Sequence, residues 1–298
     1  MKPDMATRGV VYASTAFKVA ALGILAAAMS APVARAQTHE QEKLLGLINA
    51  FRATEVQCDG GTGKAVGPLA PNEALAVSPA RSGAQLQQAL EKSGYRPATL
   101  QAISVAGPQD ARSAMQILKQ RYCEPLRSPD YAEIGVTHQG NRWQVLLAKP
   151  LLSPDLGDWK QVGQDILRRV NDARSKPRQC GDRSFKPAGQ LSWNGELAQA
   201  ALGHSRDMAN NDYFSHGAPG GSQVSDRASQ AGYRWQRIGE NIAAGQGSAE
   251  QVVAGWLASP GHCANIMNPG FTEMGAAYAT SQGSAAGIYW TQVFGTPR

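Results

Sequence analysis

The chain has 298 residues, a formal net charge of +6 and 17% charged side chains. This length suits about two ordinary domains. Hydrophobic residues make up 42% of the chain and its mean hydropathy is −0.33, so the composition excludes both a charge-rich disordered protein and a multi-span membrane protein.

A secretory leader is the first predicted element and covers residues 1–36. An apolar run of 11 residues, 19–29, precedes the small-x-small cleavage pattern Ala34-Arg35-Ala36. The basic residues before this run are Lys2, Arg8 and Lys18. The run is shorter than the roughly 20 residues that a membrane-spanning helix needs, and an amphipathic N-terminal helix is the alternative. We therefore expect an extracytoplasmic protein, secreted or periplasmic, with no membrane span after leader removal.

Leader removal also changes the charge argument. It lowers the formal net charge from +6 to +3, because the leader holds four basic residues and Asp4. A mildly basic surface gives little support for nucleic acid or an anionic membrane as a partner. We expect no nucleic-acid partner.

The remaining chain contains an internal repeat. The stretches LLGLINAFRATEVQC and DILRRVNDARSKPRQC align at an offset of 122. This offset pairs Asn49 with Asn171, Arg52 with Arg174 and Cys58 with Cys180. Later matches at offsets of 138 to 140 pair Gly94-Tyr95-Arg96 with Gly232-Tyr233-Arg234, Cys123 with Cys263, Glu133 with Glu273 and Gly135 with Gly275. The fixed order of the matches predicts two copies of one domain.

The change of offset predicts what the first copy lacks. It places a 16-residue deletion opposite part of 203–221, the stretch that contains His204 and His216. We predict a degenerate first domain over 37–152 and a second domain over 156–298. The link falls near 149–158, which contains two prolines and Gly157.

The cysteines number four, an even count that suggests two disulfides in an exported chain. Four cysteines allow three pairings, and sequence alone does not choose among them. If the two copies share a fold, the economical pairing is Cys58–Cys123 with Cys180–Cys263.

The second copy has the clearer structural pattern. Its apolar spacing and capping signals predict helices over 159–175, 193–211, 222–230 and 248–257, followed by strands over 273–280 and 287–295. Ser259-Pro260-Gly261 is predicted to end the fourth helix, and Glu240 to lie in a break between helices. Helices followed by late strands indicate an α+β domain with a helix-covered sheet.

Candidate chemistry concentrates in four strings of the second copy: HSRDMANNDYFSH, GENIAAG, WLASPGHCANIMN and IYWTQVFG. A buried Glu240 needs partners because a desolvated carboxylate is costly. No nucleophile pattern surrounds the serines near the histidines, so a Ser–His hydrolase has weak support. Asn241 and Asn265 suit loop-capping roles.

These strings resemble the CAP superfamily (cysteine-rich secretory protein, antigen 5 and pathogenesis-related 1), in its bacterial extracellular branch with SCP-like domains. The resemblance covers about 156–295 and, more faintly, 40–149. It implies tandem α-β-α sandwich domains, of which the first is degenerate.

The resemblance also implies a cleft with two histidines and two acidic residues. By motif, these are His216, His262 and one acid, Glu240; the second acid would stand three residues after Trp256, where this chain has Ser259. Asn241 adjoins Glu240 at the same site. His204 falls outside the implied cleft set, and its expected place is on a helix packed near a strand.

Three functions fit this pattern. The first, which is not enzymatic, is an exported binding or interaction module for a small ligand, lipid, glycan or protein. The second is a metal-assisted hydrolase of peptide or cell-envelope polymer, in which His216 and His262 hold a divalent ion such as zinc and Glu240 is the general base. The third is a structural protein in which these residues form a polar network without a ligand.

Overall fold

The computed structural model describes residues 31–58, 61–78, 82–152 and 156–298. Most of the predicted leader therefore lies outside the described residues, and residues 31–36 form the start of helix α1 (Ala31–Arg52). Across these ranges, no helix combines the length and apolar character needed to cross a membrane.

The N-terminal half forms a four-stranded sheet with helices on both faces. After α1 come β1 (Val56–Cys58), β2 (Gly61–Gly63), β3 (Ala70–Pro71), a 3-10 turn (Glu73–Leu75), α2 (Gly83–Ser93), β4 (Thr99–Ala106), α3 (Ala111–Arg121), α4 (Cys123–Arg127), β5 (Glu133–Gln139) and β6 (Arg142–Lys149). The strand order is β3-β5-β6-β4. The first pair is parallel and the other pairs are antiparallel.

The C-terminal half has the same sequence of strands. It comprises α5 (Trp159–Arg174), β7 (Arg178–Cys180), β8 (Arg183–Phe185), β9 (Ser192–Trp193), α6 (Gly195–Asn211), α7 (Val224–Gln230), β10 (Trp235–Ala244), α8 (Ala249–Leu257), α9 (Pro260–Ile266), β11 (Glu273–Thr280) and β12 (Ile288–Pro297). Its strand order is β9-β11-β12-β10, again with one parallel pair at the β9 edge. Where this half has α6, the N-terminal half has only the 3-10 turn.

Alternating side chains of β11 explain the layering of the C-terminal half. Met274 and Ala276 belong to a buried cluster with Ile166 of α5 and Trp256 of α8. Ala277, on the opposite face, packs with Leu197 and other residues of α6. Successive strand residues point to opposite faces, so the sheet is covered on both sides. The α-β-α sandwich and the α+β class are confirmed.

Three parts of the C-terminal half differ from the sequence-based prediction. Strand β10 was not predicted, because its sequence WQRIGENIAA lacks a regular apolar alternation. Pro260 does not merely end a helix; it occupies the first turn of α9, where its missing N–H is tolerated. The second helix begins at Gly195 because Asn194 caps it, and Ser192–Trp193 form strand β9.

A buried arginine holds each half together in the same way. Arg174, 1% exposed, donates to the carbonyls of Gly189 (2.7 Å), Ile266 (2.6 Å), Asn268 (2.9 Å) and Phe271 (3.3 Å). Arg52, also 1% exposed, donates to the carbonyls of Gly67, Leu126, Ser128 and Tyr131. The acceptors follow the offsets of 122 and 140 found in the sequence repeat.

Each half also contains one disulfide in the corresponding place. The bonds join Cys58 to Cys123 and Cys180 to Cys263, which are the pairs expected if both halves share a fold. Each bond ties the strand that follows the first helix of its half to a later helix.

Contacts between the halves add an interface that the repeat does not predict. Gln246 donates to the carbonyl of Pro68 at 2.7 Å, and Asn49 donates to the carbonyl of Ala258 at 3.2 Å. Gln251 of α8 donates to Glu133 of β5, a carboxylate that is fully buried. Because a buried carboxylate needs hydrogen-bond partners, the N-terminal half depends on the C-terminal half for one of them.

We predict that Gly275→Ala lowers the free energy of unfolding by about 3 kcal/mol. A Cβ at this position of β11 would overlap the backbone of Ala198, at the start of α6. Helix and strand must then separate. Gly195→Ala, in the helix that contains Ala198, is the control, because a Cβ there meets nothing within 4 Å. Urea denaturation measures both; a loss below about 1 kcal/mol for Gly275→Ala would contradict the close packing.

Candidate functional site

Glu240 is the centre of the candidate site. It lies on β10, an edge strand of the C-terminal sheet, and its side chain is 2% exposed. Its Oε1 accepts a hydrogen bond from Nδ1 of His216 at 2.8 Å, and its Oε2 accepts one from Nη2 of Arg227 at 2.7 Å. Glu240 lies between two helices, α7 and α8, as predicted, but on a strand and not in a break of regular structure. Its two partners allow a charged residue in a buried strand position.

Arg227 fixes the loop that carries His216. This residue of α7 also donates to the carbonyl of His216 at 3.0 Å and to that of Ser222 at 2.9 Å. The His216 side chain is 55% exposed, so an anchored imidazole faces solvent. Sequence reasoning missed Arg227. The only available signal was its place in a short predicted helix just after the YFSH string.

His204 lies beneath this pair, closer to Glu240 than expected. It is on α6 with a fully buried side chain, and its Nε2 contacts the carbonyl of Ser215 at 2.9 Å. The same nitrogen lies 3.9 Å from Oε1 of Glu240. Burial lowers the pKa of His204 and outweighs the attraction of Glu240. His204 therefore supports the loop as a neutral group and belongs to the Glu240 cluster, defined here as Glu240, His216, Arg227 and His204.

His262 and Ser259 form a second pair at α9. Nδ1 of His262 lies 2.9 Å from Oγ of Ser259, which is 2% exposed. Burial, and secondarily the nearby charge of His216, lower the pKa of His262 to about 3. The ring is therefore neutral across the physiological pH range.

Two asparagines connect this pair to the Glu240 cluster. Nδ2 of Asn265 donates to the carbonyl of Glu240 at 3.2 Å and to Oδ1 of Asn241 at 3.0 Å. Nδ2 of fully buried Asn241 donates to the carbonyl of His262 at 3.3 Å. The amides thus join β10 to α9 through the backbone carbonyls of Glu240 and His262, rather than capping a loop.

The N-terminal half has different residues at the corresponding positions. Glu240 pairs with Val293, which pairs with Gly275; in the other sheet Ala102 pairs with Leu146, which pairs with Gly135. Ala102 therefore takes the place of Glu240. Tyr122 stands 140 residues before His262, at the offset of the second cysteines.

The residues present do not fit the divalent ion that the resemblance implies. Both oxygens of Glu240 are engaged by His216 and Arg227, and Nδ1 of His262 is engaged by Ser259. Within the ranges that the structure describes, no three His, Cys, Asp or Glu side chains are grouped to hold a metal. Glu240, buried with both oxygens bonded, is not placed as a general base either.

We predict that His262→Gln reduces the loss of folding stability between pH 7 and pH 5. The pKa of His262 is lower in the folded state than its ordinary 6.5, so below pH 6.5 the unfolded chain takes up a proton that the folded chain refuses. The contribution of His262 to the free energy of unfolding is therefore fully present above pH 6.5. It falls as the pH is lowered, by at most about 2 kcal/mol at pH 5. His262→Gln removes that slope.

Urea denaturation at pH 7 and pH 5 measures this effect as a difference within each variant. His39→Gln, at an exposed position, is the control and keeps the wild-type difference. An unchanged difference in His262→Gln would contradict the buried neutral ring.

The part of the chain that contains this site matches a known protein family. Residues 167–294 match the model described as the cysteine-rich secretory protein family, CAP. The chain is 40% identical over 98 residues to the uncharacterized protein YkwD of Bacillus subtilis, a stretch covering 33% of this chain and 36% of that protein. It is 37% identical over 86 residues to the uncharacterized membrane protein YlbC of the same organism, covering 29% and 25%. The matches thus span about a third or less of these curated relatives.

The solved structures that resemble this chain have lower sequence identity to it. An extracellular protein containing a SCP domain from Bacillus anthracis has 20% sequence identity and a TM-score of 0.41, with 82% of this chain and 76% of that chain covered. An outer surface protein from Borrelia burgdorferi has 17% identity and a TM-score of 0.39, with 45% and 92% covered.

Proposed function

Because residues 167–294 form a CAP domain, we propose that this protein is an exported binding module. Its binding site is the Glu240 cluster together with the neighbouring ring of His262. Two disulfides support export, since such bonds persist mainly in oxidising compartments outside the cytoplasm. The predicted leader supports it as well.

The hydrogen bonds to both carboxylate oxygens of Glu240 favour binding over hydrolysis. Hydrolysis by a general base requires a carboxylate oxygen that reaches water or substrate. Here His216 and Arg227 use both oxygens of Glu240, and the side chain is 2% exposed. The carboxylate instead orients an exposed imidazole, which suits recognition of a polar ligand group.

We also propose that the N-terminal half is a degenerate copy of the CAP domain, with its own core but without the site. The shared strand order and the matching arginine contacts support this proposal. Ala102 and Tyr122 at the places of Glu240 and His262 make it a scaffold. Its role is packing against α8, through contacts such as Gln251 with Glu133.

An array of immobilised neutral glycans, acidic glycans, phospholipids and peptides tests the proposed function. The mature protein is compared with a His216→Ala, His262→Ala double variant and with an Arg168→Ala control, whose side chain is exposed on α5. We expect at least one probe to bind the wild type and the control about tenfold more strongly than the double variant. Binding that is indifferent to the two histidines, or absent from every probe, would contradict the proposal.

A further inference from the structure

The two imidazoles of the site have partners of different kinds. His216 faces a carboxylate through Nδ1, whereas His262 faces a hydroxyl through Nδ1. We propose that these partners make His216 present an acceptor and His262 present a donor, so that the site binds an uncharged hydroxyl group, as in a sugar or polyol, and not a divalent cation. The inference rests on the proposed function for the location of the site.

The carboxylate determines the hydrogen position on His216. An ionised carboxylate only accepts hydrogen bonds, so the ring nitrogen 2.8 Å from Oε1 of Glu240 carries the hydrogen. That nitrogen is Nδ1. In the neutral ring, Nε2 is then an acceptor, on a side chain that is 55% exposed.

The hydroxyl of Ser259 determines the opposite hydrogen position on His262. Ser259 is 2% exposed, and Nδ1 of His262 is the acceptor within reach of its hydroxyl among the described residues. If Nδ1 carried the hydrogen, the hydroxyl hydrogen would be buried without an acceptor, at a cost of about 1–3 kcal/mol. The hydroxyl therefore donates to Nδ1, and Nε2 of His262 carries the ring hydrogen.

This pair of tautomers suits a hydroxyl group and opposes a metal ion. A hydroxyl accepts from one partner and donates to another, so it matches a donating Nε2 on His262 and an accepting Nε2 on His216. A metal ion instead needs an unprotonated nitrogen from each ring. The nitrogen of His262 that remains for a ligand carries a hydrogen, and the carboxylate of Glu240 is already fully bonded.

Long-range proton–nitrogen NMR of protein with ¹⁵N-labelled histidine tests the tautomers directly. Single variants His216→Gln and His262→Gln assign the two ring signals. We expect Nδ1–H for His216 and Nε2–H for His262 at pH 7. A Nδ1–H tautomer at His262 would overturn the proposal.

A titration with zinc chloride tests the consequence. We expect wild-type protein to bind zinc no more tightly than the His262→Gln variant. Ser259→Asp places an accepting carboxylate at Nδ1 of His262, reverses its tautomer and raises zinc affinity at least about tenfold. Zinc binding by wild type that shifts both ring signals together would overturn the proposal.

The probe array separates this inference from the proposed function. We expect the probes that depend on both histidines to be uncharged glycans. Binding of only acidic glycans, phospholipids or charged peptides would overturn the inference while supporting the proposed function. Binding that ignores the histidines would overturn the proposed function itself.

Discussion

Arg174→Met is expected to lower the free energy of unfolding by about 3 kcal/mol. The guanidinium of this α5 residue donates to four backbone carbonyls, one in the segment before β9 and three at or just after the end of α9. Methionine fills similar space but leaves buried carbonyls without donors. Relief of the cost of burying a charge offsets part of this loss, which keeps the value below the sum of four charged hydrogen bonds.

The matched variants separate this effect from a general loss of charge. Arg168→Met, on the exposed side of the same helix, is expected to change stability by less than about 0.5 kcal/mol. Arg52→Met is expected to cost somewhat less than Arg174→Met, because burial and repulsion from Arg127 already lower the pKa of Arg52 to about 9. Chemical denaturation measures all three. Equal, small losses at Arg174 and Arg168 would contradict the structural role of the buried arginine.

Removal of the second disulfide is expected to have a similarly large effect. The Cys180→Ala, Cys263→Ala double variant removes a bond between residues 83 positions apart, and the chain-entropy estimate for such a loop is about 4.5 kcal/mol. Both sulfurs lie in the core of the C-terminal half, since Cys263 is fully buried and Cys180 is 3% exposed. The loss therefore includes packing as well as chain entropy.

Denaturation of the oxidised wild type, the double variant and a Cys58→Ala, Cys123→Ala variant measures the two bonds. The first bond closes 65 residues, so the two double variants are expected to lose stability to a similar extent. Reduction of the wild type with dithiothreitol breaks both bonds, and its denaturation then measures their combined effect on stability. A double variant as stable as the oxidised wild type would contradict this role.

The repeat in the sequence was detectable because backbone-bonding side chains are retained in both halves. Arg52 and Arg174 each donate to four backbone carbonyls at corresponding positions, and the same residue type occurs at the same offset. Trp143 and Trp290 likewise donate from Nε1 to the carbonyls of Pro108 and Gln246. Strand pairing aligns these tryptophans at one position, whereas the sequence match of the following Gln and Val is displaced by one residue.

The site itself was only partly predictable. Histidines in short, unusual strings marked His216 and His262, and a carboxylate between Gly and Asn marked Glu240. Strand β10 was not predictable from periodicity, because Glu240 and Asn241 interrupt the apolar pattern and are stabilised only by tertiary partners. The sequence indicated helices for Arg227 and His204 but not their contacts with Glu240, which arise from the packing of α6 and α7 onto β10.

The location of the binding site in the C-terminal half is the central claim, and a titration by NMR tests it most directly. Mature protein labelled with ¹⁵N is titrated with the glycan that binds most strongly in the array, and proton–nitrogen spectra follow every amide and histidine ring. We predict that the ring signals of His216 and His262 shift first and furthest, with neighbouring amides of β10 and α9. Shifts confined to residues 37–152, with both histidine rings unmoved, would contradict the account.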